Sequence, residues 1–236
     1  MLLIASLQYL TLAPAAVAAL LIAFAASMLV GLSFHEFSHA AVADRLGDRT
    51  ARRFGRLTLN PRAHIDPMGA LMVLLVGFGW ARPTPVNPRA TANPRLSMVL
   101  IALGGPVSNL LLAFAAGLPL RFGLLDYTRD LQIGVDVAYL AGFTLSWFVY
   151  INVLLAVFNL LPLAPLDGFK VVLGLLPPDL SREAERLERW GPGLLMLLFF
   201  LPFLTGGAFN PLFAVMDPLR RLILGAVVGA PSAFLG

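Results

Sequence analysis

Long apolar runs separated by short charged stretches dominate the pattern of hydrophobic and polar positions along this chain. The first run extends from about Pro14 to Leu46, and residues 13–32 contain no charged side chain. A second run extends from Pro94 to about Leu120, and a third from about Leu131 to Leu161. Since about 20 apolar residues suffice for a helix to cross a bilayer, these runs predict three membrane-spanning helices.

The remaining segments are shorter or more polar. Residues 70–80 are apolar but too few to cross a bilayer, which favours a re-entrant or interfacial segment. Ala81–Asn93 contains Pro83, Pro85 and Pro88, so it is predicted to be extended and not a central strand. Alternating acidic and basic residues in Pro177–Trp190 predict a solvated helix. Two further apolar segments follow, Gly191–Leu204 and Leu219–Val228, whose depth in the membrane the pattern leaves open.

Composition agrees with a membrane protein. The 236 residues are 58% hydrophobic and 13% charged, whereas a soluble domain has about 25% charged residues. We therefore predict an all-α integral membrane protein, a polytopic helical bundle with about 4–6 membrane segments and a short re-entrant or extended segment near residues 70–90. Residues 1–236 are expected to form a single membrane-embedded domain.

The distribution of arginine predicts the orientation of the chain. The net charge is +4, and six arginines crowd the short loop after the first run: Arg45, Arg49, Arg52, Arg53, Arg56 and Arg62. Positive loops stay in the cytoplasm, so this end of the first span is predicted to be cytoplasmic. Arginines clustered beside membrane spans indicate topology, and we expect no nucleic-acid partner.

His35, Glu36 and His39 carry the most specific chemistry in the chain. Histidines four residues apart project from one face of a helix, roughly 5–6 Å from each other, and can bind one metal ion. Glu36 beside them is suited to activate water. The alternative is a pair of histidines satisfied near the membrane surface. Ionisable residues in apolar helices are costly and usually functional, which favours a zinc hydrolase that works within a membrane.

A catalytic zinc site needs a third protein ligand, and the chain has no cysteine to supply it. Asp44 is about 140° around the helix from His39, and Asp66 precedes a proline as a helix cap. His64 lies in a short capped loop, and other carboxylates lie in the outer loop or on the charged helix. Asp167 follows the third span, whose cytoplasmic end shares its depth with the histidines. Taken alone Asp167 is a good N-cap for 168–176, but the missing ligand favours a role in metal binding.

Four motifs together resemble the site-2 protease family of intramembrane zinc metalloproteases, in its compact prokaryotic form without PDZ or CBS domains. They are His-Glu-Phe-Ser-His at 35–39, Asn-Pro-Arg-Ala-His-Ile-Asp-Pro-Met-Gly at 60–69, Gly-Pro-Val-Ser-Asn at 105–109, and the segment from Asn159 to Leu166-Asp167-Gly168. Their joint occurrence is far more specific than the histidine motif alone.

The resemblance implies that His35, His39 and Asp167 bind Zn²⁺ and that Glu36 is the catalytic base. It also implies support of the substrate or transition state by three further residues, Asn159, His64 and Asn109. The expected function is cleavage of transmembrane segments of other proteins near the cytoplasmic face. The protein would then be a multi-pass protein of the prokaryotic cell (inner) membrane, in contact with the lipid bilayer and with transmembrane segments of its substrates.

Three other functions compete with this interpretation. A membrane metal transporter or a metal-sensing helix-binding protein would use the same ligands without hydrolysis, but it would leave Glu36 without a role. An inactive scaffold is disfavoured by the complete catalytic set. A membrane protease of the prenyl-protein type would need a downstream glutamate ligand, and the glutamates available lie on the charged 182–189 stretch.

Overall fold

The computed structural model describes residues 14–76, 79–130, 132 and 136–229, and these residues form a bundle of helices. No β-strand occurs among them; an isolated antiparallel bridge joins Ile65 to Ala81. The predicted all-α membrane fold is thus confirmed. The helices are α1 (Pro14–Arg45), α2 (Thr50–Arg53), α3 (Pro61–His64), α4 (Pro67–Val76), α5 (Pro94–Arg121), α6 (Val137–Asn159), α7 (Asp167–Leu175), α8 (Pro178–Leu187), α9 (Gly191–Leu204) and α10 (Pro211–Val228).

Helix α1 carries the first apolar run and the histidine motif. A π-helical turn, Ser27–Gly31, interrupts its α-helical geometry one turn before His35. Such turns are rare and are frequently found at functional sites. The helix ends at Arg45, and Gly47 follows with a φ of 105°. That left-handed conformation favours glycine, which explains why the helix ends just before Gly47.

Asparagine or aspartate followed by proline begins several helices, as predicted. Asp66 accepts a hydrogen bond from the Gly69 N–H at 2.9 Å, and Asn93 accepts one from the Leu96 N–H at 3.2 Å. These side chains satisfy N–H groups that have no carbonyl in the first helical turn. Asp136 caps α6 in the same way, so this helix begins at Val137 and not at the predicted Leu131.

The last apolar helix is longer than predicted. Helix α10 begins at Pro211, where Asn210 caps it, and not at Leu219. Asp217 and Pro218 interrupt its apolar pattern without breaking the helix, and for this reason the pattern showed only its second half. Within the described ranges, four helical segments are long and apolar enough to cross a membrane: α1, α5, α6 and the continuous stretch Pro178–Leu204.

Close approaches of small residues bring α5 against its neighbours. A Cβ added at Gly104 would lie 3.2 Å from the Ser38 carbonyl oxygen of α1. At the other end of α5, a Cβ at Gly117 would lie 2.4 Å from Val227 of α10. Small residues let membrane helices pack backbone to backbone, where van der Waals contact replaces the hydrophobic effect as the driving force. This packing places α5 directly behind the histidines of α1.

Candidate active site

His35 and His39 face each other's edges on one side of α1. Their ring centroids are 4.7 Å apart with the ring planes at 84°, and both side chains are buried. This is the separation that the helical repeat predicts for residues four apart.

Asp167 reaches both histidines from the first turn of α7. Its Oδ2 lies 3.0 Å from Nε2 of His35 and 3.1 Å from Nε2 of His39. The Asp167 side chain does not cap α7, since the cap position is Leu166 and no side-chain cap bond forms there. The structure thus brings together the three predicted metal-binding side chains, and the N-cap alternative for Asp167 does not apply.

The other ring nitrogen of each histidine is held by an oxygen. Nδ1 of His35 lies 2.7 Å from Oδ1 of Asn109, and Nδ1 of His39 lies 2.6 Å from the Ile101 carbonyl oxygen. A carbonyl oxygen can only accept a hydrogen bond, so both Nδ1 atoms carry hydrogen, and Nε2 is the atom of each ring that is left to bind a metal. Two ring nitrogens and a carboxylate oxygen therefore converge on one point. A metal cation satisfies that arrangement, and two imidazoles with one carboxylate are a ligand set typical of catalytic zinc.

Asp167 is held ready as an ionised ligand. Burial raises the pKa of its carboxyl group, but the facing imidazoles of His35 and His39 lower that pKa by more, so the group is ionised at neutral pH. Its second oxygen, Oδ1, accepts a hydrogen bond from Lys170 at 3.3 Å. Lys170 thereby orients the carboxylate, as residues around metal ligands commonly do.

Gly105 provides the space in which the histidine nitrogens meet. A Cβ at this position would lie 2.4 Å from Nε2 of His39 and 2.5 Å from Nε2 of His35. Any side chain at residue 105 would fill the point where the donors converge. The run Gly104-Gly105 indicated close helix contact from the sequence, and the structure shows that the contact is with these ring nitrogens.

Glu36 is buried beside the histidines and is held by an extended segment. Its Oε2 accepts a hydrogen bond from the Thr84 N–H at 2.8 Å, and its carbonyl oxygen accepts one from Thr84 Oγ1 at 3.1 Å. We call Ala81–Asn87 the strap. The Arg82 N–H donates to the His64 carbonyl at 2.7 Å, and the Asn87 N–H donates to the buried Asp48. Hydrogen bonds thus hold the strap at both ends and in the middle, where it crosses Glu36.

The hydrogen bonds of His64 and Asn159 go to backbone carbonyl oxygens. The buried His64 ring has its Nε2 2.7 Å from the Thr58 carbonyl oxygen, and so it shapes the loop that carries the strap. Asn159 is the last residue of α6, half-buried, with Nδ2 donating to the Leu155 carbonyl at 2.9 Å. Asp44 pairs with Arg52 at 2.8 Å, in agreement with its predicted direction away from the histidines.

Known proteins resemble this chain over most of its length. Residues 131–200, which include Asn159 and Asp167, match the model of "Peptidase family M50". "Putative zinc metalloprotease YwhC" of Bacillus subtilis is 40% identical over 198 residues, which cover 83% of this chain and 88% of that protein. This chain belongs to peptidase family M50, the site-2 protease family. "Putative zinc metalloprotease Rip2" of Mycobacterium tuberculosis is 31% identical to the M50 protease over 211 residues, 88% of this chain and 78% of the relative. No solved structure matches this chain.

Membership of the family confirms three predictions. The M50 protease is a zinc metalloendopeptidase, its cofactor is zinc, and it is a multi-pass membrane protein. The donor set of His35, His39 and Asp167 fits zinc in number and kind of ligand. Sequence reasoning did not find Thr84, Asp48 or Asn152, which contact Glu36, the strap and Asn109 respectively. The hydrogen bond from Thr84 to the Glu36 carboxylate comes from a backbone N–H, which any residue except proline possesses, so the residue type at position 84 gives no signal of that contact.

Proposed function

We propose that this M50 protease cleaves transmembrane segments of other membrane proteins near the cytoplasmic face. In this proposal His35, His39 and Asp167 hold zinc, and Glu36 is the general base. The observation that carries it is the position of two metal donors, His35 and His39, and of the buried Glu36 carboxylate on α1, a helix apolar and long enough to span a membrane. Ionisable groups in such a helix are costly unless they have a function.

The catalytic step follows from the arrangement around Glu36. Zinc held by the three donors would polarise the scissile carbonyl and make water acidic enough to attack near neutral pH. Glu36 takes the proton from the attacking water and passes it to the leaving amine. The Thr84 N–H engages Oε2 of Glu36, so Oε1 is the oxygen that accepts the proton. The same hydrogen bond keeps the carboxylate from rotating away.

The strap provides an extended edge beside the base. A helical substrate hides its peptide bonds, so it must unwind locally before attack. Within the strap, the N–H groups of Arg82, Thr84 and Asn87 already donate to the protein, and Pro83 and Pro85 have none. An unwound substrate strand would therefore pair mainly with strap carbonyl oxygens and with the N–H groups of Ala81 and Val86.

The other family positions act at different distances from the reaction. Asn159 supports the substrate or the developing oxyanion, for which its amide has a second hydrogen beyond the one donated to Leu155. His64 acts through the strap, whose Arg82 N–H its carbonyl holds. Asn109 acts on the metal through His35.

The proposed site opens towards the cytoplasm. The arginine-rich loop after α1 favours a cytoplasmic position in the inner membrane of the cell. Hydrolysis consumes water, and the apolar stretch 20–34 of α1 would exclude water from the opposite side. The substrates we expect are therefore membrane proteins whose transmembrane segments present a cleavable bond a few helical turns inside the inner leaflet.

Replacement of Glu36 tests the proposed mechanism. Glu36→Gln keeps the shape of the side chain but cannot take a proton, so cleavage should fall by about 10²–10⁴-fold while zinc content stays unchanged. Membrane proteins that accumulate in cells carrying this variant identify the substrates by proteomics. Glu183→Gln, on the exposed charged helix, is the matched control and should cleave normally. Near-normal cleavage by Glu36→Gln would exclude Glu36 as the base.

A further inference from the structure

Two fully buried asparagines connect three helices behind His35. Asn109 of α5 and Asn152 of α6 are both 0% exposed, and neither residue touches the point where the metal donors converge. Buried amides are costly in an apolar bundle unless their hydrogen bonds are satisfied. Here they form a continuous series of hydrogen bonds that ends on the ring of His35.

The direction of each hydrogen bond in this series follows from the one before it. Nδ2 of Asn152 donates to the Phe148 carbonyl oxygen at 2.9 Å, which turns its Oδ1 towards α5. Nδ2 of Asn109 then donates to Oδ1 of Asn152 at 3.0 Å and to the Gly31 carbonyl oxygen at 3.1 Å. The amide oxygen of Asn109 is left facing Nδ1 of His35 at 2.7 Å.

We propose that Asn152 is a positioning residue that fixes the orientation of Asn109 and, through it, the tautomer of His35. With Asn109 oriented as observed, hydrogen stays on Nδ1 of His35 and Nε2 is free to bind zinc. A flipped Asn109 would present its NH₂ group to Nδ1, so hydrogen would move to Nε2 and block the metal-binding atom. Flipping would also set Oδ1 of Asn109 against two acceptors, Asn152 Oδ1 and the Gly31 carbonyl, which opposes it.

His39 is a built-in comparison for this inference. Its Nδ1 is held by the backbone carbonyl of Ile101, which lies within α5 and cannot flip. The tautomer of His39 should therefore be independent of Asn152, whereas that of His35 depends on it. The inference rests on the proposed role of His35 as a zinc ligand.

The packing of α1 against α6 is adapted to this contact. A Cβ added at Gly31 would lie 2.8 Å from Oδ1 of Asn152 and 3.4 Å from Nδ2 of Asn109. Glycine at residue 31 thus lets the two amides reach the helix backbone. Gly31→Ala is a second way to disturb the same hydrogen bonds without changing either asparagine.

The test combines zinc affinity with the tautomers of the histidines in the full-length protein. Asn152→Leu removes the acceptor at nearly constant volume, and we expect zinc, titrated alone against a competing chelator, to bind about 10-fold more weakly. The chain has three histidines, so ¹⁵N spectra of histidine-labelled, zinc-free protein resolve each ring. His35 should lose its Nδ1–H form in this variant, and His39 should keep it.

Asn152→Asp supplies the rescue. A neutral carboxyl group at this buried position can donate to Phe148 and accept from Asn109, so the His35 tautomer and the zinc affinity should return. Ser146→Ala is the matched control, because Ser146 is equally buried on α6 and accepts from the Thr128 N–H instead. Zinc affinity and both tautomers should be unchanged in that variant.

Several results would overturn the inference. An unchanged His35 tautomer in Asn152→Leu, an equal change at His39, or failure of Asn152→Asp to restore zinc binding would each do so. If Asn152→Leu does not fold, Gly31→Ala must produce the same selective change at His35, and its failure to do so counts equally against the role of Asn152.

His35→Ala separates the positioning role of Asn152 from the proposed zinc site. Full zinc affinity in that variant would refute the proposed metal site itself, whereas loss of zinc there and no change in Asn152→Leu would refute the positioning role alone.

Discussion

A single carboxylate oxygen of Asp167 faces the ring nitrogens of both His35 and His39. This contact joins α1 to α7 across 132 residues of sequence, and it depends on a negative charge. Gly168 makes it reachable, since a Cβ at that residue would lie 2.2 Å from the Leu160 carbonyl oxygen. The start of α7 can therefore lie directly against the end of α6.

Asp167→Ala should release zinc. Loss of one of three protein ligands is expected to weaken zinc binding by at least about 10-fold, because even residues that only support ligands have effects of that size. The measurement is the zinc content of the purified protein after dialysis against a chelator. Asp66→Ala is the control: it removes the cap of α4, at about 1 kcal/mol, and should leave zinc in place. Full zinc retention in Asp167→Ala would show that another residue is the third zinc ligand.

At the scale of elements, the strap depends on a tether from the loop that follows α1. Asp48 is fully buried and accepts hydrogen bonds from the N–H groups of Thr50 and Asn87. Burial raises the pKa of Asp48, and the hydrogen bonds from Thr50 and Asn87 outweigh burial, so the pKa lies below its ordinary value. A pKa lowered by folding means that this stabilisation is complete above the unfolded value of about 3.9 and is lost as the pH falls through the folded value.

Asp48→Ala should loosen the strap at neutral pH. Two N–H groups lose their acceptor, at a cost of about 1–3 kcal/mol for each group that stays buried. Hydrogen exchange of the Thr84 and Asn87 amides should become faster, and cleavage should weaken because Glu36 loses its orientation. Asp44→Ala removes a surface ion pair with Arg52 and is expected to cost at most about 1 kcal/mol, without effect on the strap. Equal exchange rates in the two variants would contradict the tether.

At the scale of the whole molecule, the proposed function places the C-terminal ends of α1 and α6 on the cytoplasmic side of the membrane. The native chain has no cysteine, so single cysteines can report the side of the membrane. Cysteines at the exposed positions Arg53 and Glu185 should react with an impermeant maleimide only after the cytoplasmic face is opened. A cysteine at Asp126 should react in intact cells.

Two other labelling patterns would revise the proposed function. Complete inversion of the labelling pattern would leave the fold unchanged but place the proposed cleavage at the outer face of the membrane. Reaction of the cysteines at positions 53 and 185 from opposite sides of the membrane would place the ends of α1 and α6 on different sides. This result would contradict the shared metal site.

Local chemistry explains what the sequence by itself determined. The caps at Asp66 and Asn93, the end of α1 before Gly47 and the shared face of His35 and His39 depend on residues within a few positions of one another. Such features follow from the helical repeat and the hydrogen-bonding needs of helix ends. The approach of Asp167 was predicted as well, because membrane spans restrict depth and few carboxylates lie at the right one.

The tertiary structure alone decided what holds those residues in place. Thr84 reaches Glu36 across 48 residues, through a backbone N–H that has no signature in the sequence. Asn109 and Asn152 meet across 43 residues, and the hydrogen bond that turns Asn109 towards His35 exists only once three helices are packed. An asparagine offers the same donors and acceptors wherever it lies, so its orientation is determined by the neighbours that folding brings to it.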